Sequence, residues 1–284
     1  MQTKQRGSGW SIALVFNLYR IFGYQFIYYL MYPVTFFYFI FADNVKKSLK
    51  VYYQHLGYEF NNRVYYEHLR MFAITMVDRF ITKASPESYE FIYDDKKRPI
   101  EIFQNATILI LSHFGGWAAS SNSSRTDNTI NIVMKEALKG DIKKIEDSLG
   151  YKSNTKVIDI SQGPIAVSIA IANALMNDEV VAIMGDRASN ENAKSALKFL
   201  GEDAYFNKNP FEIAYKMRKP IMIYFVIWIG MQKYRVEYIE IIIDYEKEAN
   251  MAIIEAMQIY VSKYEKLVRK YPNQWLNFYD FWAK

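Results

Sequence analysis

Short runs of consecutive apolar residues, separated by segments with helical spacing, fill the sequence after Pro86 and limit its fold more than any other feature. The run Ala106–Ser112 (ATILILS) is typical of a strand that is buried on both faces. The same reasoning predicts strands at Thr129–Met134, Lys156–Ile160, Val180–Met184, Pro220–Ile229 and Tyr234–Ile243, and helices at Glu136–Leu149, Ile165–Met176 and Pro210–Met217. Alternating strands and helices predict an α/β fold with a mostly parallel central sheet flanked by helices.

Helical patterns lie on both sides of this alternation. Residues 1–84 have helical spacing, and apolar residues from Ile253 to Tyr271 form one stripe that ends before Pro272. No Gly-, Ser- or Pro-rich linker and no internal repeat separates these parts. We therefore predict an N-terminal helical, membrane-associating layer over 1–84 and an α/β core over 85–284.

The N-terminal layer contains an uncharged aromatic stretch, Ile21–Ala42. Its length suits a membrane span, but tyrosines occur throughout it and Pro33 is expected to break or kink the helix. Basic residues flank it on both sides, at Lys4, Arg6, Arg20, Lys46, Lys47 and Lys50. A span usually has a one-sided basic excess, so the pattern favours helices lying on the cytoplasmic face of a membrane. A true span and an ordinary buried hairpin are the alternatives.

Composition excludes several kinds of chemistry. The 284 residues include no Cys, which excludes disulfides, thiolate metal sites and a cysteine nucleophile. Only three His argue against a multi-histidine metal centre. The 24 Tyr and 19 Phe suit a boundary between water and lipid, and a net charge of +5 is weak support for nucleic-acid binding.

Two predicted strands end in polar residues, and ligands of parallel sheets bind at the carboxyl ends of strands. His113 ends the first of these strands and precedes Gly115 and Gly116, so it is a candidate general base with backbone N–H groups nearby for an oxyanion. Asp186 and Arg187 end the other, as a candidate orienting acid and a candidate clamp for phosphate or carboxylate. The structural alternatives are a histidine bonded to a neighbouring loop and an ordinary loop ion pair.

The remaining candidates are weaker. The sequence contains no P-loop, dinucleotide fingerprint, nucleophile elbow or zinc-protease motif. His55 and His68 lie in helical patterns and are predicted to be structural or on the surface. Basic clusters at Lys143, Lys144, Lys216, Arg218 and Lys219 are typical of solvated faces, with docking of an acidic carrier protein or anionic headgroups as the alternative.

Several sequence blocks occur together in order. They are GYQFIYYLMYPVTFFYFIF, HLRMFAITMVDRF, LSHFGGWAAS, INIVMKEA, VVAIMGDRAS, KFLGEDAYFNKNPFEIAYKMRKPI and YPNQWLNFYDFW. On these blocks, nearly the whole chain resembles the lysophospholipid acyltransferase superfamily, in the branch of bacterial lipid A biosynthesis (late) acyltransferases. Within that branch it looks most like members encoded with aryl polyene and flexirubin-type pigment genes.

The resemblance implies transfer of a fatty acyl chain from an acyl carrier protein or coenzyme A thioester to a hydroxyl or amine of a lipidic acceptor. His113 would be the general base, and Gly115, Gly116, Trp117 and Arg187 would bind the oxyanion, donor or acceptor. The expected location is the cytoplasmic face of a bacterial inner membrane, peripheral or singly anchored. No metal and no bound cofactor are implied.

One position departs from the family motif, in which His is followed, after four residues, by Asp or Glu. Counting from His113 leads to Ala118, which has no carboxylate. Losing the orienting acid of a serine-protease triad costs about 10⁴ in rate. Three explanations are open: another acid orients His113, with Asp186 the first choice and Asp127 the second; the protein binds acylated ligands without turnover; or the alanine was introduced deliberately.

Overall fold

The computed structural model describes residues 9–120, 126–135, 154–188 and 190–282. The helices in this part of the chain are α1 (Gly9–Phe41), α2 (Asp43–Leu56), α3 (Asn62–Ala84), α4 (Lys97–Ile102), α5 (Trp117–Ser120), α6 (Pro164–Met176), α7 (Asn209–Met217) and α8 (Ala249–Lys270). The strands are β1 (Glu90–Tyr93), β2 (Thr107–Leu111), β3 (Ile130–Met134), β4 (Thr155–Asp159), β5 (Val180–Met184), β6 (Lys194–Phe199), β7 (Glu202–Asn207), β8 (Ile221–Gly230) and β9 (Lys233–Ile241). The predicted helix Glu136–Leu149, with Lys143 and Lys144, lies outside the described residues.

Seven strands form one sheet in the order β1-β9-β8-β2-β5-β3-β4. Neighbouring strands are parallel except β8 and β9, which are joined as an antiparallel hairpin. A separate antiparallel hairpin consists of β6 and β7. The predicted α/β fold with a mostly parallel central sheet is therefore confirmed.

Helices cover both faces of the sheet, because alternate side chains of a strand point to opposite faces. In β2, Ile108 and Ile110 pack into the apolar cluster that contains residues of α6, α7 and α8. Leu109 and Leu111 pack into the other cluster, with residues of α1, the end of α3 and α4. All five residues of β2 are buried, as the continuous apolar run predicted.

The described part of the N-terminal layer is helical, as predicted, and contains three helices, but its break is not where the sequence suggested. Helix α1 continues through Pro33 and is interrupted at Gly23, whose φ of 76° lies in the left-handed region that glycine tolerates. No single described helix is long and apolar enough to cross a membrane, although α1 from Ala13 together with α2, bent by 92°, satisfies that test as a pair.

One face of α1 packs on α3 and the other carries large exposed aromatic side chains. Tyr28 receives a hydrogen bond of 3.0 Å from Arg70 of α3, and the Arg70 guanidinium lies 4.7 Å from the ring centre of Tyr32. The exposed aromatic residues of α1 include Phe22, Tyr29, Phe36, Phe37 and Phe41. Helix α1 is thus bound to the core through one side and leaves an aromatic surface on the other.

Candidate active site

The carboxyl ends of β2 and β5 lie next to each other in the sheet. These strands are parallel neighbours in which Leu111 is opposite Met184, and the Gly185 N–H donates to the Leu111 carbonyl over 2.8 Å. His113 follows β2 by two residues and Asp186 follows β5 by two residues. The two candidates of the sequence analysis are therefore brought together by strand register.

His113 and Asp186 form two hydrogen bonds. The imidazole Nδ1 lies 2.9 Å from Asp186 Oδ1, and the His113 backbone N–H donates to Oδ2 over 2.8 Å. Tyr264 of α8 also donates its hydroxyl to Oδ2, over 3.1 Å. Asp186 is 1% exposed whereas the His113 side chain is 20% exposed, so the acid is enclosed and the base faces an accessible space.

The electrostatics of this pair favour a charged Asp186. Burial alone raises the pKa of a carboxyl group, but the neighbouring His113, its side-chain and backbone hydrogen bonds, and the charge of Arg187 together hold the pKa of Asp186 below its ordinary value. A charged acceptor at Nδ1 fixes the proton on that nitrogen and leaves Nε2 for proton transfer. This is the arrangement that a histidine general base requires.

One family of known proteins matches most of the chain. The model of the family described as bacterial lipid A biosynthesis acyltransferase matches residues 68–284, which is most of the chain and includes both strand ends. The chain belongs to the bacterial lipid A biosynthesis acyltransferase family. A search of curated proteins finds no match.

In this family member the backbone N–H groups of the two glycines after His113 are bonded within the protein. The N–H of Gly115 donates to the Gln274 carbonyl and that of Gly116 to the Val226 carbonyl, each over 2.8 Å. Both groups attach the turn to β8 and to the C-terminal segment, so neither N–H is directed at an oxyanion in this structure. The role of the two glycines in binding a donor or an acceptor stays a prediction.

Both glycines are instead required by close packing. A side chain at Gly115 would lie well inside van der Waals contact with the Val226 carbonyl oxygen, and φ there is 58°. A side chain at Gly116 would overlap the ring of Tyr234. The turn thus brings the backbone against β8 and β9 at distances that only glycine permits.

Trp117 and Arg187 lie next to His113 and Asp186 in the sequence and near them in the candidate site. The Trp117 ring is edge-on to His113 at a centroid distance of 5.7 Å. Arg187 is half-buried, lies 5.0 Å from the ring centre of Tyr279 and reaches the Leu276 carbonyl at 3.5 Å. Trp117 is thus next to His113, whereas Arg187 is directed toward the C-terminal segment.

Ala118 and Asp127 have different positions relative to the site. Ala118 is half-buried in α5, directly after Trp117. Asp127 lies exposed before β3, at the amino edge of the sheet. Since β2, β5 and β3 are parallel and five residues long, Asp127 is about 16 Å of strand length from the carboxyl edge. The second choice for an orienting acid is therefore wrong, because the fold places it at the opposite edge.

The other two histidines pack within the fold. His68 is fully buried, with Nδ1 3.1 Å from the Tyr53 hydroxyl and Nε2 2.9 Å from the Trp275 carbonyl. Burial lowers the pKa of His68 to about 3, so it is neutral. His55 stacks on Trp282 with ring centres 3.8 Å apart. Among the described residues, no group of His, Asp and Glu has the arrangement of a metal site.

The sequence analysis missed the residues that hold the His113 turn from the C-terminal side. Residues 272–282, here called the C-terminal clamp, run beside the turn: the Leu276 N–H donates to the His113 carbonyl over 2.8 Å. The Gln274 side chain forms a pair of hydrogen bonds with the Trp228 backbone, at 2.9 Å and 2.8 Å. No short-range pattern in the sequence marks these contacts, since they join distant segments through backbone atoms.

Proposed function

We propose that this protein transfers a fatty acyl group from an acyl carrier protein or coenzyme A thioester to a hydroxyl or amine of a lipidic acceptor, with His113 as general base. The observation that carries the proposal is the His113–Asp186 pair at the carboxyl edge of the sheet, in a chain of the lipid A biosynthesis acyltransferase family. The narrower likeness to members encoded with aryl polyene and flexirubin-type genes rests on the sequence blocks alone.

In the proposed reaction, Nε2 of His113 accepts the proton of the acceptor hydroxyl or amine while its oxygen or nitrogen attacks the thioester carbonyl. The tetrahedral intermediate expels the donor thiolate, which takes the proton from the imidazolium. Asp186 keeps its negative charge throughout and stabilises the imidazolium through Nδ1. The products are an ester or amide and a free thiol, and no metal or bound cofactor takes part.

Asp186 supplies, in this proposal, the orientation that a carboxylate at position 118 would supply in the family motif. A second candidate function follows from Ala118 itself: a protein that binds acylated ligands and does not turn them over. The contacts of Asp186 with the imidazole and with Tyr264 favour the enzyme, because a buried charged acceptor is costly unless it is fully bonded.

We propose further that the protein works at the cytoplasmic face of a bacterial inner membrane. The exposed aromatic side of α1 supports this location, since rings such as Phe37 and Phe41 are each more than 60% exposed. Aromatic side chains on one side of a helix are suited to insertion at a bilayer interface. A lipidic acceptor would then reach His113 without leaving the membrane.

The function is tested by thiol release from an acyl thioester donor, with a membrane lipid extract as acceptor. The chain contains no Cys, so every thiol detected comes from the donor. The wild-type chain is expected to release thiol, and His113→Ala is expected to lower that rate by about 10³-fold or more. His55→Gln serves as the control histidine. Full activity of His113→Ala would refute the proposal.

A further inference from the structure

A second buried carboxylate lies outside the site just described. Asp78 of α3 is fully buried and accepts hydrogen bonds from three tyrosine hydroxyls. Tyr24 and Tyr89 donate to Oδ1, each over 2.8 Å, and Tyr234 donates to Oδ2. These tyrosines come from α1, from the residue before β1, and from β9. The carboxylate therefore joins four segments of the chain.

The burial of this carboxylate costs free energy that its hydrogen bonds must offset. Removing a carboxylate from water is unfavourable unless donors replace the lost hydration, and here three hydroxyls do so. Burial raises the pKa of Asp78 to about 6, against the lowering effect of the three hydroxyls. Because the buried carboxylate needs all three hydrogen bonds, it holds the three tyrosine rings that donate them in place.

The ring of Tyr234 connects the cluster to the catalytic turn. One face of this ring stacks on Phe91, with centroids 5.5 Å apart, while the ring edge lies against Gly116. Gly116 is three residues after His113, and its N–H is bonded to the Val226 carbonyl. The position of the Tyr234 ring therefore limits where the turn that carries the imidazole can lie.

We propose that Asp78 is a positioning residue for acyl transfer: by holding the Tyr234 hydroxyl it fixes the ring against Gly116 and so sets the orientation of His113. The kinetic part of this inference rests on the proposed function. Because Asp78 is fully buried, it acts in this proposal through Tyr234 and the turn and not by binding a substrate. Tyr24 bonds the same carboxylate, whereas the three atoms nearest to a side chain placed at Gly116 all belong to Tyr234, which makes Tyr24 a suitable control.

The test compares Tyr234→Phe, which keeps the ring and removes the hydroxyl, with Tyr24→Phe, which removes a hydroxyl from the same carboxylate. The full chain is labelled with ¹⁵N-histidine and the His113 ring nitrogens are identified by their loss in His113→Ala. Three histidines give a readable spectrum. Tyr234→Phe is expected to shift the His113 resonances, while Tyr24→Phe leaves them in place even where the melting temperature falls.

In the acyl-transfer assay Tyr234→Phe is expected to lower kcat about tenfold with little change in KM, because positioning acts on the chemical step. Unchanged His113 resonances in Tyr234→Phe, or equal shifts in both variants, would overturn the inference. The spectra can be recorded without turnover. An inactive wild-type chain would therefore refute the proposed function, while the His113 resonances would still decide whether Asp78 positions His113. Should Tyr234→Phe not fold, Asp78→Asn replaces it.

Discussion

The Nδ1 atom of His113 lies 2.9 Å from Oδ1 of Asp186, a residue that is 73 positions further along the chain. Position 118, where the family motif has its acid, is alanine. The geometry that the motif would create within one turn is created here between two neighbouring parallel strands. In this chain, sheet register thus places a carboxylate at Nδ1 without an acid at position 118.

Replacing Asp186 by Asn keeps its shape and removes its charge. Because an amide at Nδ1 favours the wrong tautomer of His113, kcat is expected to fall by about 10³ to 10⁴, as in a serine-protease triad. Asp127→Asn, at the opposite edge of the sheet, is expected to keep wild-type activity. Thiol release measured on both variants decides the matter, and similar rates for the two would contradict the role of Asp186.

Introducing a carboxylate at position 118 is expected to change kcat little. In Ala118→Glu the new carboxylate meets an imidazole whose Nδ1 is already bonded to Asp186, so kcat is expected to stay within about threefold of wild type. Side-by-side thiol-release assays at saturating donor give the comparison. An inactive wild-type chain together with an active Ala118→Glu would show that the alanine inactivates the enzyme and that Asp186 does not orient His113.

The glycines of the catalytic turn are expected to be intolerant of a methyl group. Gly115→Ala meets the Val226 carbonyl, a backbone atom that cannot yield, at a positive φ, and is expected to lose about 2 to 4 kcal/mol of unfolding free energy. Gly230→Ala is the matched control, since a side chain there meets open space. Urea unfolding of both variants measures the difference, and equal stabilities would argue against the close packing of the turn.

Asp78 is expected to make stability depend on pH. Burial raises the pKa of Asp78 from 3.8 to about 6 in the folded protein, so the native state holds a proton there that the unfolded state releases. This proton binding contributes about 3 kcal/mol to the free energy of unfolding. The contribution is fully present below pH 3.8 and is lost as the pH rises through 6. Relative to Asp78→Asn, the wild-type protein should therefore lose stability between pH 4 and 6.

His68 has the opposite pH dependence, which is why the comparison with Asp78→Asn is needed. Burial lowers the pKa of His68 from 6.5 to about 3, so its contribution is full above pH 6.5 and declines as pH falls. The two slopes partly cancel in the wild-type protein and separate only when one group is removed. A wild-type minus Asp78→Asn difference that is flat from pH 4 to 7 would contradict the shifted pKa of Asp78.

The aromatic side of α1 is expected to carry membrane binding. Two triple glutamine variants make the comparison: one at Phe22, Phe37 and Phe41 on α1, the other at Ile165, Ile169 and Met176, which are exposed on α6 across the sheet. The α1 variant is expected to weaken binding to anionic phospholipid vesicles by roughly tenfold or more, because it removes apolar area that the bilayer would bury. The α6 variant is expected to change vesicle binding little. Equal losses in vesicle co-sedimentation would mean that α1 has no special role.

The central strands were predictable because each is marked by its own residues. β2 and β5 are continuous apolar runs, and burial on both faces is what such runs require. The edge strand β1 has only four residues, of which none is fully buried, so no pattern marks it. The β6–β7 hairpin was also missed: its two turn residues have positive φ, and the first is Leu200, a residue that rarely adopts this conformation.

The site was predictable in part for the same reason. His113 and Asp186 are polar residues directly after apolar runs, and parallel register brings such positions together. Asp78 gives no such signal, because one aspartate in a helix ordinarily reads as a solvated position. Its partners are 11, 54 and 156 residues away and meet it only through tertiary packing.

Because the C-terminal clamp is synthesised after the His113 turn, the turn receives its last contacts late. The ribosome produces the His113 turn in the first half of the chain, whereas Gln274 and Leu276, whose backbone atoms hold that turn, come near its end. A nascent chain can thus form α1 and pair its strands while the imidazole still lacks its final support. We expect the catalytic centre to be the last part to assemble, so that acyl transfer begins only when translation of residues 272–282 is complete.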